Sequence, residues 1–349
     1  MIRIFGAVLF CAAPAGAAAP SGPVLLDSSF GKAVLIVGGD VMLGRGIGKS
    51  IAGRGAAYPF SAIAPLLKKA DIVFGNLESL FGESAYPPVF IEKSYNFLAS
   101  TSSVKALKHG NFSALSLANN HAMDYGAPAL ADTQRLLQKN GIGYFGAGDD
   151  LTRARKPLII TRSSSGLRVG FLGYGIVCST SLIAGKTRPG VAPIVPNYMY
   201  RDVLNARKRT DFLVVSVHWG SEFAKMPSNE HRRLAHKIID LGADAVIGHH
   251  PHIAQGFELY KGKLIAYSLG NLLFDMRHKG SDRSVLLRMS ISHRTINSIE
   301  LIPVDRFNKY FPRPARNKVR QEILDEIKKI SAPLNLGPSA LTVLGLVKE

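Results

Sequence analysis

A chain of 349 residues, 46% hydrophobic and 19% charged, carries enough apolar material for one large or two modest folded domains, and its composition is neither disordered nor fibrous. Its net charge of +18 creates a field that draws polyanions such as an acidic polymer, teichoic acid or anionic lipid. The basic residues are scattered, with no basic stripe interleaved with aromatics, which argues against dedicated nucleic-acid binding. The two cysteines, Cys11 and Cys178, exclude a zinc site held by several thiolates.

Arg3 followed by the apolar run Ile4 to Ala13 and small residues at Ala15, Ala17 and Ala19 predicts a cleaved export signal over residues 1–19. Cys11 would leave with it, so no intramolecular disulfide is open to Cys178. The expected destination is periplasmic in a two-membrane cell and extracellular otherwise. A linker is expected over 20–32, a main domain over 33–305, and a basic connector with one amphipathic helix over 306–349.

Within the main domain the pattern alternates. Ala33 to Val37 reads as a buried strand ending at Asp40, and Ser61 to Lys69 as a helix. Asp71 to Phe74 is a strand ending at Glu78. Ser103 to His109 is a helix, Phe112 to Leu117 a strand ending at Asn119, Asn120 and His121, and Pro128 to Lys139 a helix stopped by Gly141. Leu158 to Thr161 and Val169 to Leu172 read as a hairpin. Met199 to Lys208 is helical, and Phe212 to Val217 is a strand ending at His218. Ser228 caps a helix over Asn229 to Leu241. Ala245 to Ile247 is a strand ending at His249, His250 and His252, and Leu264 to Tyr267 is another. Val285 to Ile291 and Ile299 to Val304 alternate like paired strands, and Val319 to Ile330 is a helix. Strand, polar tip and helix in repetition describe an α/β layered fold, in which sites gather at the carboxyl ends of strands.

Those tips offer two carboxylates, amides and several imidazoles. Taken singly, most have ordinary explanations: a strand-end Asp40 as a helix cap, Asn120 as a turn residue, His218 as a hydrogen-bonded core histidine. Three imidazoles within four residues after a buried strand are harder to explain that way, because each would need its own partners. Mixed carboxylate and imidazole donors suit Mn, Zn or Fe, and a bridging carboxylate allows two ions about 3.5–4 Å apart.

The stretches GGDVMLGR (38–45), FGNLES (74–79), SLANNHAMDYG (116–126), VSVHWGSEF (215–223), GADAVIGHHPHIAQG (242–256) and YSLGNLLFD (267–275) resemble the bacterial capsule-biosynthesis CapA (poly-γ-glutamate capsule) family, over roughly residues 33–305. This family is similar to calcineurin-like metallophosphoesterases, which implies a four-layered α/β/β/α sandwich and two divalent metal ions. The resemblance assigns Asp40, Glu78, Asn120, His218, His250 and His252 as metal ligands, Glu78 as the bridge, and His121 as the proton donor to a leaving group. Asp124 is expected to orient His121. Arg45, His249 and Trp219 are expected to face substrate, with His249 alternatively behind the ligands or among them. The phosphoesterase pattern has a His two residues after the first Asp; this chain has Met42. Asn271 and Asp275 read as turn and strand-end features.

Two functions follow as expectations. One is metal-dependent hydrolysis of an anionic polymer or phosphoester during capsule or poly-γ-glutamate production. The other is a non-catalytic accessory that binds an acidic polymer or anionic envelope component. Either could work with membrane proteins of polymer synthesis.

Overall fold

The computed structural model describes residues 31–83, 86–89, 95–176, 179–307 and 310–334. The expected signal segment, residues 20–30 of the linker, Cys178 and residues 335–349 lie outside the described residues.

Continuous apolar runs, buried on both faces, build the central strands of two facing sheets. The larger, eight-stranded among the described residues, runs in the order Phe311–Pro314, Thr295–Phe307, Arg283–Ser292, Ala33–Val41, Ile72–Leu77, Ala114–Ser116, Gly143–Phe145. Asn271–Leu273 adds in parallel beside the tip of Ala33–Val41. The smaller runs Phe257–Tyr260, Lys263–Ala266, Ala245–His249, Phe212–His218, Arg168–Gly175, Leu158–Thr161.

Successive residues of one strand enter different apolar seams, because strand side chains alternate between faces. Leu35 and Val37 point into the seam between the sheets, while Ile36 points out under the helices. Val214, Ala245 and Ile247 meet them from the second sheet, and Leu213, Val215 and Val246 face the other way. Three seams separate four layers. Helices Arg45–Arg54, Val104–His109 and Gly126–Lys139 cover the outside of the large sheet, and Pro196–Arg207 with Asn229–Asp240 covers the small one. The fold is the expected α/β/β/α sandwich.

Differences from the sequence reading have local causes. The expected helix over Ser61 to Lys69 shrinks to one turn, Ala64–Leu67, preceded by a 3₁₀ turn at Tyr58–Phe60. Pro59 and Pro65 supply no N–H, and each sits at the start of its own short helix. The helix Arg45–Arg54 has no clear sequence signal, since Gly46, Gly48 and Gly53 mask its pattern. The long hairpin strand continues past 305 to Phe307 and pairs with Phe311–Pro314. Helix Asn317–Ser331 then buries Ile323, Leu324 and Ile327 in the seam between the sheets. The sheet and core therefore extend beyond the boundary expected at 305.

Candidate metal centre and its cleft

Parallel strands of both sheets end at one place. Asp40 and Asn76 are register partners in the large sheet, and His218 and His249 are register partners in the small one. The strand irregularity between Val37 and Asp40 sets the first carboxylate at the tip. Close backbone approach at Gly39 makes this possible: a Cβ there would lie 1.7 Å from the Gly270 carbonyl oxygen, to which the Asp40 N–H donates at 3.0 Å.

Asp40, Glu78 and His218 are each at most 1% exposed, and one ligand atom of each lies within 4.8 Å of the others. The Asn76 side-chain amide sits among them, donating to Asp40 Oδ1 at 2.9 Å and Glu78 Oε1 at 2.8 Å and lying 3.3 Å from His218 Nδ1. His218 Nε2 is 2.9 Å from Asn120 Oδ1.

The segment after the Ala245–His249 strand completes the centre. His249 Nδ1 stands 3.2 Å from Asp40 Oδ1, and the His249 ring meets Phe74 edge-on. The His250 N–H donates to Asp40 Oδ2 at 3.3 Å, and its ring lies 4.6 Å from that of His218. His252 Nδ1 is 2.8 Å from Asn271 Oδ1 and 3.5 Å from Asp40 Oδ2, and its Nε2 is 4.0 Å from Glu78 Oε2. His250 and His252 hold φ of 97° and 60°, left-handed conformations that cost side-chain-bearing residues energy and cluster at functional sites.

Burial alone would raise the Asp40 pKa. The hydrogen bonds and charges of His249 and His252 outweigh it and hold this carboxyl well below its usual range. Burial pushes the His218 pKa well down, helped by His250 and opposed by Asp40, so its imidazole is neutral and keeps a lone pair to offer. An ionised Asp40 and a neutral His218, buried and within ligand distance of each other and of Glu78, fit a divalent cation.

Beside the centre opens a cleft of about 650 Å³, lined by residues including Arg45, Tyr95, Phe97, His121, Glu222 and Phe223. His121 Nδ1 lies 2.8 Å from Asp124 Oδ2, and the Phe97 ring lies tilted over the imidazole with centroids 4.0 Å apart. Arg45 pairs with Asp275 and stands 4.8 Å over the Phe97 ring and 5.4 Å over Tyr95.

Residues 34–276 match the model of the bacterial capsule synthesis protein PGA_cap. The chain belongs to that family. It is 34% identical over 302 residues to the PGA biosynthesis protein CapA of Bacillus subtilis (strain 168), covering 84% of this chain and 77% of that protein. It is 30% identical over 316 residues to the capsule biosynthesis protein CapA of Bacillus anthracis, covering 85% and 74%. A probable polyglutamine synthesis accessory protein of Mycobacterium tuberculosis is 31% identical over 212 residues, 54% of each chain. Among solved structures, a 5'-nucleotidase precursor from Thermus thermophilus is similar at 13% identity and a TM-score of 0.46, covering 87% of this chain and 60% of that one. A putative 5'-nucleotidase from Staphylococcus aureus is similar at 13% identity and a TM-score of 0.47, covering 85% and 58%. The chain thus spans about 60% of the length of these structures.

Set against the roles that the family resemblance implied, the structure gathers Asp40, Glu78, Asn120, His218, His250 and His252 at one point, with His121 at the cleft and Asp124 buried behind it. Two residues expected to face substrate lie elsewhere. Trp219 is 1% exposed, donates through Nε1 to the Tyr267 carbonyl at 3.0 Å and stacks on His231 and Tyr267, so it packs the outer seam of the small sheet. His249, 1% exposed, lies beneath the carboxylates instead of in the cleft. Arg45 does line the cleft. Met42 is a core residue: it is fully buried under the helices, and the Gly44 N–H points to its sulfur at 3.0 Å. Asn271 and Asp275, read as turn and strand-end features, hold His252 and Arg45. Sequence reasoning misses Asn76 altogether. Its signal is an amide two residues before Glu78, on the same strand face, at a position with no access to water.

Proposed function

We propose that this chain is an exported, metal-dependent hydrolase of capsule or poly-γ-glutamate production, acting on an anionic polymer or a phosphoester within it. The observation that carries this reading is the meeting of buried acids and imidazoles from both sheets at the edge of an open cleft that also holds the His121–Asp124 pair. Asp40, Glu78, Asn120, His218, His250 and His252 would hold divalent ions, Mn, Zn or Fe, which supply Lewis acidity and an activated water. His121 in its doubly protonated form would give the Nε2 proton to the leaving group, while Asp124 holds the Nδ1–H and so fixes the ring for that transfer. Arg45, clamped by Asp275 and backed by Phe97, presents a fixed cation to an anionic substrate.

A second reading is a binding accessory without turnover, favoured by the name of the mycobacterial relative, a probable polyglutamine synthesis accessory protein. To decide, the protein without residues 1–19 is assayed for bound metal and for hydrolysis of a generic phosphodiester and of polyglutamate, beside a His250→Ala, His252→Ala variant. Metal-dependent turnover that the variant loses supports the hydrolase. Bound metal and polymer without turnover support the accessory. Absence of metal, even after reconstitution, sinks the metal-centred reading.

A further inference from the structure

The hydrogen-bond chain Asn119–Asn76 fixes which way both amides face. The His121 N–H donates to Asn119 Oδ1 at 3.0 Å, so that atom must be the oxygen. Asn119 Nδ2 then donates to the Leu77 carbonyl at 2.8 Å and to Asn76 Oδ1 at 3.1 Å. Turning Asn119 over would set N–H against N–H and oxygen against oxygen. Its orientation is therefore set by two backbone groups whose roles cannot be exchanged. Asn76 follows: its oxygen faces the Asn119 amide, and its NH₂ faces Asp40 Oδ1, Glu78 Oε1 and His218 Nδ1, at 2.9, 2.8 and 3.3 Å.

Those three atoms belong to the same acid–imidazole trio that lies close enough together to hold an ion. An ion bound to carboxylate oxygen and imidazole nitrogen sits about 2.0–2.2 Å from each. The Asn76 NH₂ occupies the space such an ion needs. We propose that the Asn76 amide, locked by Asn119, is a plug at the Asp40–Glu78–His218 point: a neutral donor that stands in for a cation and must be turned out before one binds. Asn76 is thus a positioning residue that bridges the two carboxylates and lowers ion affinity at this point. This rests on the metal-centred reading above.

The test is isothermal titration of the purified, chelator-treated protein with Mn²⁺, for wild type, Asn76→Ala and Asn119→Ala, with thermal melting in chelator to confirm folding. Asn76→Ala opens the space, and Asn119→Ala frees the amide to turn, so each is expected to bind Mn²⁺ at least tenfold more tightly than wild type. Should Asn76→Ala fail to fold, the Asn119→Ala titration decides alone. Weaker binding in the folded variants would overturn the proposal and make Asn76 an oxygen ligand, leaving the metal reading intact. Unchanged affinity would equally overturn it. No Mn²⁺ binding in any form would overturn both this inference and the metal reading.

Discussion

Asp124 Oδ2 stands 2.8 Å from His121 Nδ1 and accepts the Phe97 N–H at the same distance. One oxygen of a carboxylate that is 1% exposed therefore ties together a histidine, the strand end that carries Phe97, and the aromatic ring lying over that histidine. Both partners of Asp124 are donors, so Nδ1 carries the proton when His121 is neutral. Carboxylate and overlying ring together leave the imidazole little freedom to rotate.

Asp124→Asn tests this tie. One atom at this position faces both donors, so an Asn oxygen there keeps both hydrogen bonds but loses the negative charge that holds a protonated imidazole, while an NH₂ there would lose both bonds. Removing an orienting partner of this kind commonly costs about 10–100-fold. The expected result is a fall of that size in kcat with KM nearly unchanged, and a larger loss for His121→Ala. Steady-state kinetics on the substrate found in the assay above are the check. Full turnover in Asp124→Asn would leave the pair with a purely structural role.

Gly39→Ala addresses the scaffold. Its Cβ would meet the Gly270 carbonyl oxygen at 1.7 Å, a backbone contact that no rotamer change relieves. The strand carrying Asp40 would have to part from the Asn271–Leu273 strand, which positions His252. The expected cost is about 3 kcal/mol or more, seen as a Tm lowered by roughly 5 °C, together with weaker ion binding. A melt matching wild type would show that the tip tolerates separation.

The layered fold is legible in the sequence because its central strands are short continuous apolar runs separated by helices, with polar residues recurring at the strand tips. Asp40, Glu78, His218 and His250 are legible for the same reason. The supporting residues are harder to read. Nothing in spacing tells Asn271 at a turn from Asn271 holding a histidine, and only the parallel pairing of Asp40 with Asn271 brings the second strand beside the first. Trp219 misleads by position: it follows His218 directly, and strand alternation sends the next side chain to the opposite face, into the outer seam. That rule is available from sequence and places it correctly.

The pH dependence of stability without metal follows from His218. Burial holds its folded pKa well below the ordinary value of about 6.5. Below pH 6.5 the unfolded chain takes up a proton that the folded chain refuses, so the unfolded state gains. The contribution is complete above about pH 6.5 and is lost as pH falls toward the folded value, by at most about 1.4 kcal/mol per pH unit. Asp40 acts in a separate window. Its depressed carboxyl keeps its contribution above the carboxylate range and loses it only in stronger acid. Denaturation in chelator between pH 8 and pH 5 should show falling stability on the acid side, with a shallower slope in His218→Gln. An identical slope in the variant would place the titration elsewhere.

Arg45 offers a separation of binding from chemistry. It takes φ of 48° at the start of its helix, where the Gly46 N–H and the Arg45 guanidinium both reach Asp275. Phe97 and Tyr95 lie under the guanidinium. A cation fixed from several sides loses little further freedom when an anion arrives, so its contribution falls on binding. Asp275 accepts from Nε and Nη2, and the guanidinium has further donors to offer an arriving anion. Arg45→Ala is expected to raise KM for an anionic substrate about tenfold while kcat changes little, the pattern of uniform binding lost. Arg45→Lys should recover only part of this, since an ammonium cannot reproduce the paired contact with Asp275 or the stacking on Phe97. A fall in kcat at constant KM would instead mean that Arg45 meets charge developing in the transition state, and would move it from the cleft wall into the chemistry.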